Sequence, residues 1–151
     1  MPRKKISTSS TEVKSNYESF LRSVKLYSLA MEEVSAKLDR EGYWKHFPEG
    51  EGLTREIGSL YKAVHIEDDH FDVIAAYELN ITHEQGKKRV LEVKCKFIAH
   101  FHASIDCNSE TAARFANSEA KIIAWPYFRN LVSDLTGRLY IPPITIPLAL
   151  D

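Results

Sequence analysis

Two long segments alternate between apolar and polar residues, and together they constrain the fold more than anything else in the chain. In HFDVIAAYELNIT the odd positions Phe71, Val73, Ala75, Tyr77, Leu79 and Ile81 are all apolar, while Asp72, Glu78, Asn80 and Thr82 stand among the even ones. In RVLEVKCKFIAHFHAS the odd positions Leu91, Val93, Cys95, Phe97, Ala99, Phe101 and Ala103 repeat the pattern, with Glu92, Lys94, Lys96, His100 and His102 between them. A period of two sends successive side chains to opposite faces, so each segment is a strand with one buried and one wet face. The link His83-Glu84-Gln85-Gly86-Lys87 contains a glycine and suits a short hairpin. An antiparallel meander follows.

Residues 57–66, IGSLYKAVHI, are β-prone and end at Glu67-Asp68-Asp69, a polar turn that returns the chain beside Phe71. The preceding stretch DREGYWKHFPEGEGLT holds three glycines and a proline, the composition of a loop. It also carries Tyr43, Trp44 and Phe47, a heavy aromatic load for a segment that runs over the surface. Between residues 20 and 38 two periods compete. Phe20, Val24, Tyr27, Met31, Val34 and Leu38 form a helical stripe, and Val24, Leu26, Ala30, Val34, Ala36 and Leu38 form a looser strand phase. Periodicity alone favours the helix. Further on, Asn108-Ser109-Glu110 offers an N-cap with an acid in the first turn, and residues 111–117 then form a short helix.

Charge and length exclude several classes. Lys plus Arg number 20 and Asp plus Glu 21, so no net field draws the protein to nucleic acid or anionic lipid. No window approaches the roughly 18 apolar residues of a membrane span. The first 14 residues are basic and then Ser/Thr-rich, with no apolar run, which predicts a disordered tail ahead of a single domain over residues 15–151. Cys95 and Cys107 are too few for a secreted disulfide framework, so the cytoplasm is the default compartment.

Catalytic and metal motifs are sparse. His100 and His102 share one strand face at a spacing that zinc sites use, with Cys107 five residues on, yet Lys94 and Lys96 crowd that face. Further ligands would have to come from His65, His70 or Asp69, and no motif fixes them. Asp68 and Asp69 sit in a turn where both carboxylates meet water, which explains them better than acid/base work does. There is no G-x-S-x-G, no Gly-rich phosphate loop and no C-x-x-C, and Cys95 lies in the apolar phase of its strand, where a thiol is inert. No catalytic residue, cofactor or metal is assigned.

The stretch IIAWPYFRNLVSDLTGRLYIPPITIPL, residues 122–148, combines unusual features. Phe128, Leu131, Val132 and Leu135 form an amphipathic stripe, Gly137 lies where a C-cap glycine belongs, and Pro142, Pro143 and Pro147 punctuate an apolar tail. Pro126 should lie in the first turn of this helix or kink it, because deeper inside it would remove a hydrogen bond and clash with the carbonyl of Ile122.

A strand-rich body, a helix carrying Trp125-Pro126-Tyr127-x-Arg129 and a proline-punctuated tail resemble the export chaperone SecB and its SecB-like relatives. The resemblance covers residues 24–148. It implies an α+β fold, a four-stranded antiparallel sheet with helices packed on one face, and so a helix at residues 15–22 and a strand at 24–37. It also implies an ATP-independent holdase that binds unfolded polypeptide, either preproteins for export or a labile antitoxin, and assembles as a dimer of dimers. The expected client groove is lined by Tyr43, Trp44, Phe47, Trp125, Tyr127, Ile141 and Ile144, and the expected oligomer interface by Ile122, Phe128, Leu131 and Leu135. The chain ends at Leu148-Ala149-Leu150-Asp151 where export SecB proteins continue, and Glu78 and Glu92 stand among lysines on a face that SecA docking needs acidic; engagement of SecA is left open. Two rivals come from other classes: a small β-sheet metalloenzyme using His100 and His102, and an oligomeric adaptor without chaperone activity.

Overall fold

The computed structural model describes residues 9–45, 53–83, 88–105, 107–142 and 144–148. Helix α1 (Ser9–Ser23) leads into strand β1 (Lys25–Leu38) and a six-residue helix α2 (Arg40–Lys45). Strands β2 (Thr54–Val64), β3 (His70–His83) and β4 (Lys88–His102) follow, and a long helix α3 (Ser109–Arg138) completes the order. The strands form one antiparallel sheet in the order β1-β4-β3-β2. The α+β architecture is therefore the expected one. Part of the expected tail is helical, since α1 starts at Ser9; residues 1–8 lie outside the described ones.

Every odd residue from Phe71 to Ile81 and from Leu91 to Ala103 is buried. The turn before β3 forms at the polar cluster, where the Glu67 amide donates to the His70 carbonyl at 2.8 Å. The even face is less wet than alternation alone implies, because Asp72 and Glu92 are buried there. Asp72 is bonded by His65 and His100, and Glu92 by Arg89 with Lys94 at 3.8 Å. Buried carboxylates persist where such partners replace water.

Strand β1 explains why its sequence imitates a helix. Its register against β4 slips between Leu26 and Ser28 and again between Met31 and Glu33. Each slip leaves one residue, Tyr27 or Glu32, unpaired and shifts the phase by one. Leu26, Leu29, Met31, Val34, Ala36 and Leu38 thus face the same side at spacings of three and two, opposite the buried Phe101, Ala99, Phe97, Cys95, Val93 and Leu91.

Helix α3 is one 30-residue element, not a short helix followed by a second one opening at Pro126. Its start is strongly specified. The Asn108 side chain accepts from the amides of Glu110 and Thr111, both at 3.0 Å, and Thr111 Oγ1 accepts from the Asn108 amide at 3.1 Å. Alanines at 112, 116, 120 and 124 bury without crowding the sheet. Pro126 removes a single interior hydrogen bond, and the packing of both halves holds the helix through it. Gly137 is inside the helix. The left-handed residue beyond the C-cap Leu139 is Tyr140 (φ 54°), where the amides of Tyr140 and Ile141 donate to the carbonyls of Gly137 and Thr136.

Two aromatic clusters hold the helices to the sheet. Near α1, Phe20, Phe71, Phe101 and Phe115 pack with ring centroids 4.9 to 6.1 Å apart. Toward the other end of α3, Phe128 stacks on Tyr77 at 4.5 Å beside Trp125. Among the described residues no helix is long and apolar enough to cross a membrane.

Candidate functional site

The structure divides the expected groove residues. Tyr43, Trp125 and Ile141 are buried in the core cluster around Tyr77 and Phe128 and are not a surface. Trp44 and Tyr127 remain 42 and 47% exposed, and Ile144 is half-buried against the same core. Phe47 lies outside the described residues. Tyr43 is buried because the expected loop contains α2. Asp39 caps that helix by accepting from the Gly42 amide at 3.0 Å, which turns the tyrosine ring inward while its neighbour Trp44 faces out.

The expected oligomer interface also changes. Phe128 is fully buried within the chain, and Leu131 and Leu135 are half-buried against its core. Only Ile122 of that set is open, at 66%. The apolar stripe of α3 is used on the chain's own sheet.

An apolar surface remains elsewhere. Helix α3 lies over β2 and β3 and reaches β4 only in passing, so the helix-side face of β1 is left largely uncovered. Leu26, Met31 and Val34 are 42, 48 and 44% exposed on that face. At Leu26 the strip enters a groove of about 290 Å³ between α1, β1 and α3, lined also by Leu21, Val24, Phe115, Ile122 and Ile123. Exposed residues of this size gathered on one face make a candidate contact surface, in contrast to single apolar residues scattered over a surface. None of the three is among the expected groove or interface residues, although Met31 and Val34 lie in the helical stripe of residues 20–38. The signal was an edge strand with more apolar length than one helix can cover.

The tail is fastened to α3 and β2 by side chains that take three consecutive carbonyls. Arg55 Nη1 donates to Thr145 O at 2.5 Å, Arg129 Nε to Ile146 O at 3.2 Å, and Trp125 Nε1 to Pro147 O at 2.8 Å. Ile146 is buried in the core cluster.

The titratable groups point to structure. His100 Nδ1 is bonded to the buried Asp72, and His102 lies against the ring of Tyr27 with centroids 5.0 Å apart. Among the described residues no group of three or more His, Cys, Asp or Glu is placed to hold a metal ion. Burial pushes the Cys95 thiol up to about 12 and also raises Cys107. A bond from His70 to Asp69 (2.7 Å) raises the imidazole and lowers the carboxyl.

On the helix-free face of the sheet lies a broader concavity of about 690 Å³ over Gly58, Leu60, Ala76, Glu78, Lys94 and Lys96. Its charges are mixed and paired, with carboxylates outnumbering lysines: Lys94 lies 3.9 Å from Glu78 and 3.8 Å from Glu92, and Lys96 lies 3.1 and 3.3 Å from Glu32 and Glu33.

No protein-family model matches the chain, and no curated protein does. Among solved structures, the Mycobacterium tuberculosis Rv1957 SecB-like chaperone, in complex with a ChAD peptide from the Rv1956 HigA1 antitoxin, superposes with a TM-score of 0.76 at 20% identity, over 91% of this chain and 98% of that one. A protein of unknown function from Streptococcus agalactiae superposes with a TM-score of 0.49 at 10% identity, over 82% of this chain and 96% of that one.

Proposed function

We propose that this chain, which has the fold of a SecB-like chaperone, is an ATP-independent holdase that binds unfolded polypeptide and catalyses no reaction. One observation carries the proposal: the uncovered strip of Leu26, Met31 and Val34 on β1, continuous with the groove beside α1. An unfolded segment offers apolar side chains in no fixed order, and a flat apolar strip accepts them without demanding a sequence. Met31 adds an adaptable side chain of the kind that promiscuous surfaces use. Trp44 and Tyr127 contribute further exposed rings. A labile antitoxin segment is the favoured client, because the structure this chain resembles holds an antitoxin peptide. The charges on the open face are mixed and not uniformly acidic, so SecA is left out of the proposed partners. The chaperone would act in the cytoplasm as a homo-oligomer, a dimer of dimers.

The test is suppression of aggregation of a chemically unfolded protein, without ATP, by the intact chain and by a Met31→Glu/Val34→Glu variant. Both positions are about half exposed, so the variant should lose no more than about 1 kcal/mol of stability. Its client affinity should fall at least about tenfold. A folded variant that protects clients as well as the parent would end the assignment of the strip. A parent chain with no protecting activity would end the holdase reading and favour the adaptor.

A further inference from the structure

The two stretches that stand out in the sequence, Trp125-Pro126-Tyr127-Phe128-Arg129 and the proline-rich tail, hold each other. Trp125, Arg129 and Arg55 each donate to one of three successive carbonyls, those of Pro147, Ile146 and Thr145. Every residue of every polypeptide presents such a carbonyl, so these bonds ask nothing of the tail's side chains. Side-chain burial is concentrated in Ile146, which inserts into the core cluster while Thr145 and Pro147 on either side stay exposed. Three main-chain grips and one apolar socket are what a receptor for an extended apolar segment requires. Here the occupant is the chain itself.

We propose that the groove between β2 and the C-terminal half of α3 is a second polypeptide-binding site, filled in cis by residues 144–148, and that a client segment enters it by displacing this tail. The proposal rests on the holdase reading and adds regulation to it. A tethered segment competes at an effective concentration in the millimolar range. Weak clients are therefore kept out, and only segments that also engage the β1 strip gain entry.

Two measurements test the proposal. In the first, the peptide IPPITIPL, residues 141–148 of this chain, is titrated onto the full chain and onto a chain stopped after Pro142. Saturable binding to the shortened chain, at least about tenfold tighter than to the full one, is the expected result. A shortened chain that is folded by circular dichroism yet binds the peptide no better overturns the proposal. If the shortened chain does not fold, Ile146→Asp in the full chain takes its place and is read in the same way. In the second, tryptophan in the full chain is replaced by 5-fluorotryptophan, and the Trp125 resonance is followed as unfolded client is added. A shift that saturates with the client supports displacement, and an unmoved resonance at saturation overturns it. Absence of any client binding would count against the holdase reading alone, and the peptide titration would still decide the groove.

Discussion

Tyr43 and Trp44 are adjacent in sequence and T-shaped to each other at 6.4 Å, yet one is core and the other surface. Replacing Tyr43 with Ala removes a buried ring and should cost about 3–5 kcal/mol. Replacing Trp44 with Ala should leave the melt within about 1 kcal/mol and weaken client binding instead. A chain in which both substitutions destabilise equally would deny Trp44 a role in binding. Nothing in the string Gly42-Tyr43-Trp44 states which ring turns inward, because that depends on a six-residue helix too short to leave a period. The pair Asp69–His70 makes a second prediction at this scale. Its hydrogen bond raises His70 above its ordinary 6.5 and lowers Asp69 below 3.8. The raised imidazole contributes fully below 6.5 and loses its contribution as pH rises through the folded value. The lowered carboxyl contributes above 3.8 and loses it as pH falls through its folded value. The pair is thus at full strength between those two ordinary values. An Asp69→Asn variant followed by proton NMR should show His70 titrating nearer 6.5; an unchanged titration would show that Asp69 is not its partner.

At the scale of elements, legibility followed periodicity. Strands β3 and β4 were plain because thirteen odd positions between Phe71 and Ala103 hold one phase and the structure buries every one. Strand β1 was obscured because its bulges at Tyr27 and Glu32 stretch a period of two toward that of a helix. The sequence divides α3 in two because Pro126 breaks the local rule, while the packing that overrides it comes from residues more than 40 positions away, such as Tyr77 stacked on Phe128. The end of α3 shows the same conflict. Tyr140 takes the left-handed position that a glycine favours, and Gly137 sits three residues early. Tyr140 is exposed, so its ring adds little packing to offset the strain. Tyr140→Gly should therefore stabilise the protein by roughly 1 kcal/mol. Thermal melting reads this directly, and a lower melting temperature would mean that the Tyr140 ring makes a contact worth more than its backbone costs.

At the scale of the whole molecule, the proposed client strip and the proposed assembly share one strand. Of the α3 residues expected at an interface, Phe128 is fully buried inside the chain, Leu131 and Leu135 are half-buried, and Ile122 is open. Strand β1, 14 residues long, is paired on one side only among the described residues and bears its exposed strip on the helix side. A long edge strand with apolar neighbours invites another strand. A second copy would satisfy it by two-fold pairing of β1 with β1, which would extend the sheet and join two strips into one longer trough. Such an assembly would enlarge the proposed client surface without covering it. Light scattering at micromolar concentration should accordingly give a multiple of 17.3 kDa. Two-fold antiparallel pairing also places one residue of β1 opposite itself across the axis. A scan of single cysteines at Ser28, Ala30, Glu32, Glu33 and Ser35 should therefore trap a disulfide dimer most efficiently at one position and progressively less on either side. The native thiols leave the readout clean, since Cys95 and Cys107 are buried and both are shifted away from the reactive thiolate. Equal trapping at every position would indicate random collision, and a 17.3 kDa monomer would leave the strip to serve clients one chain at a time.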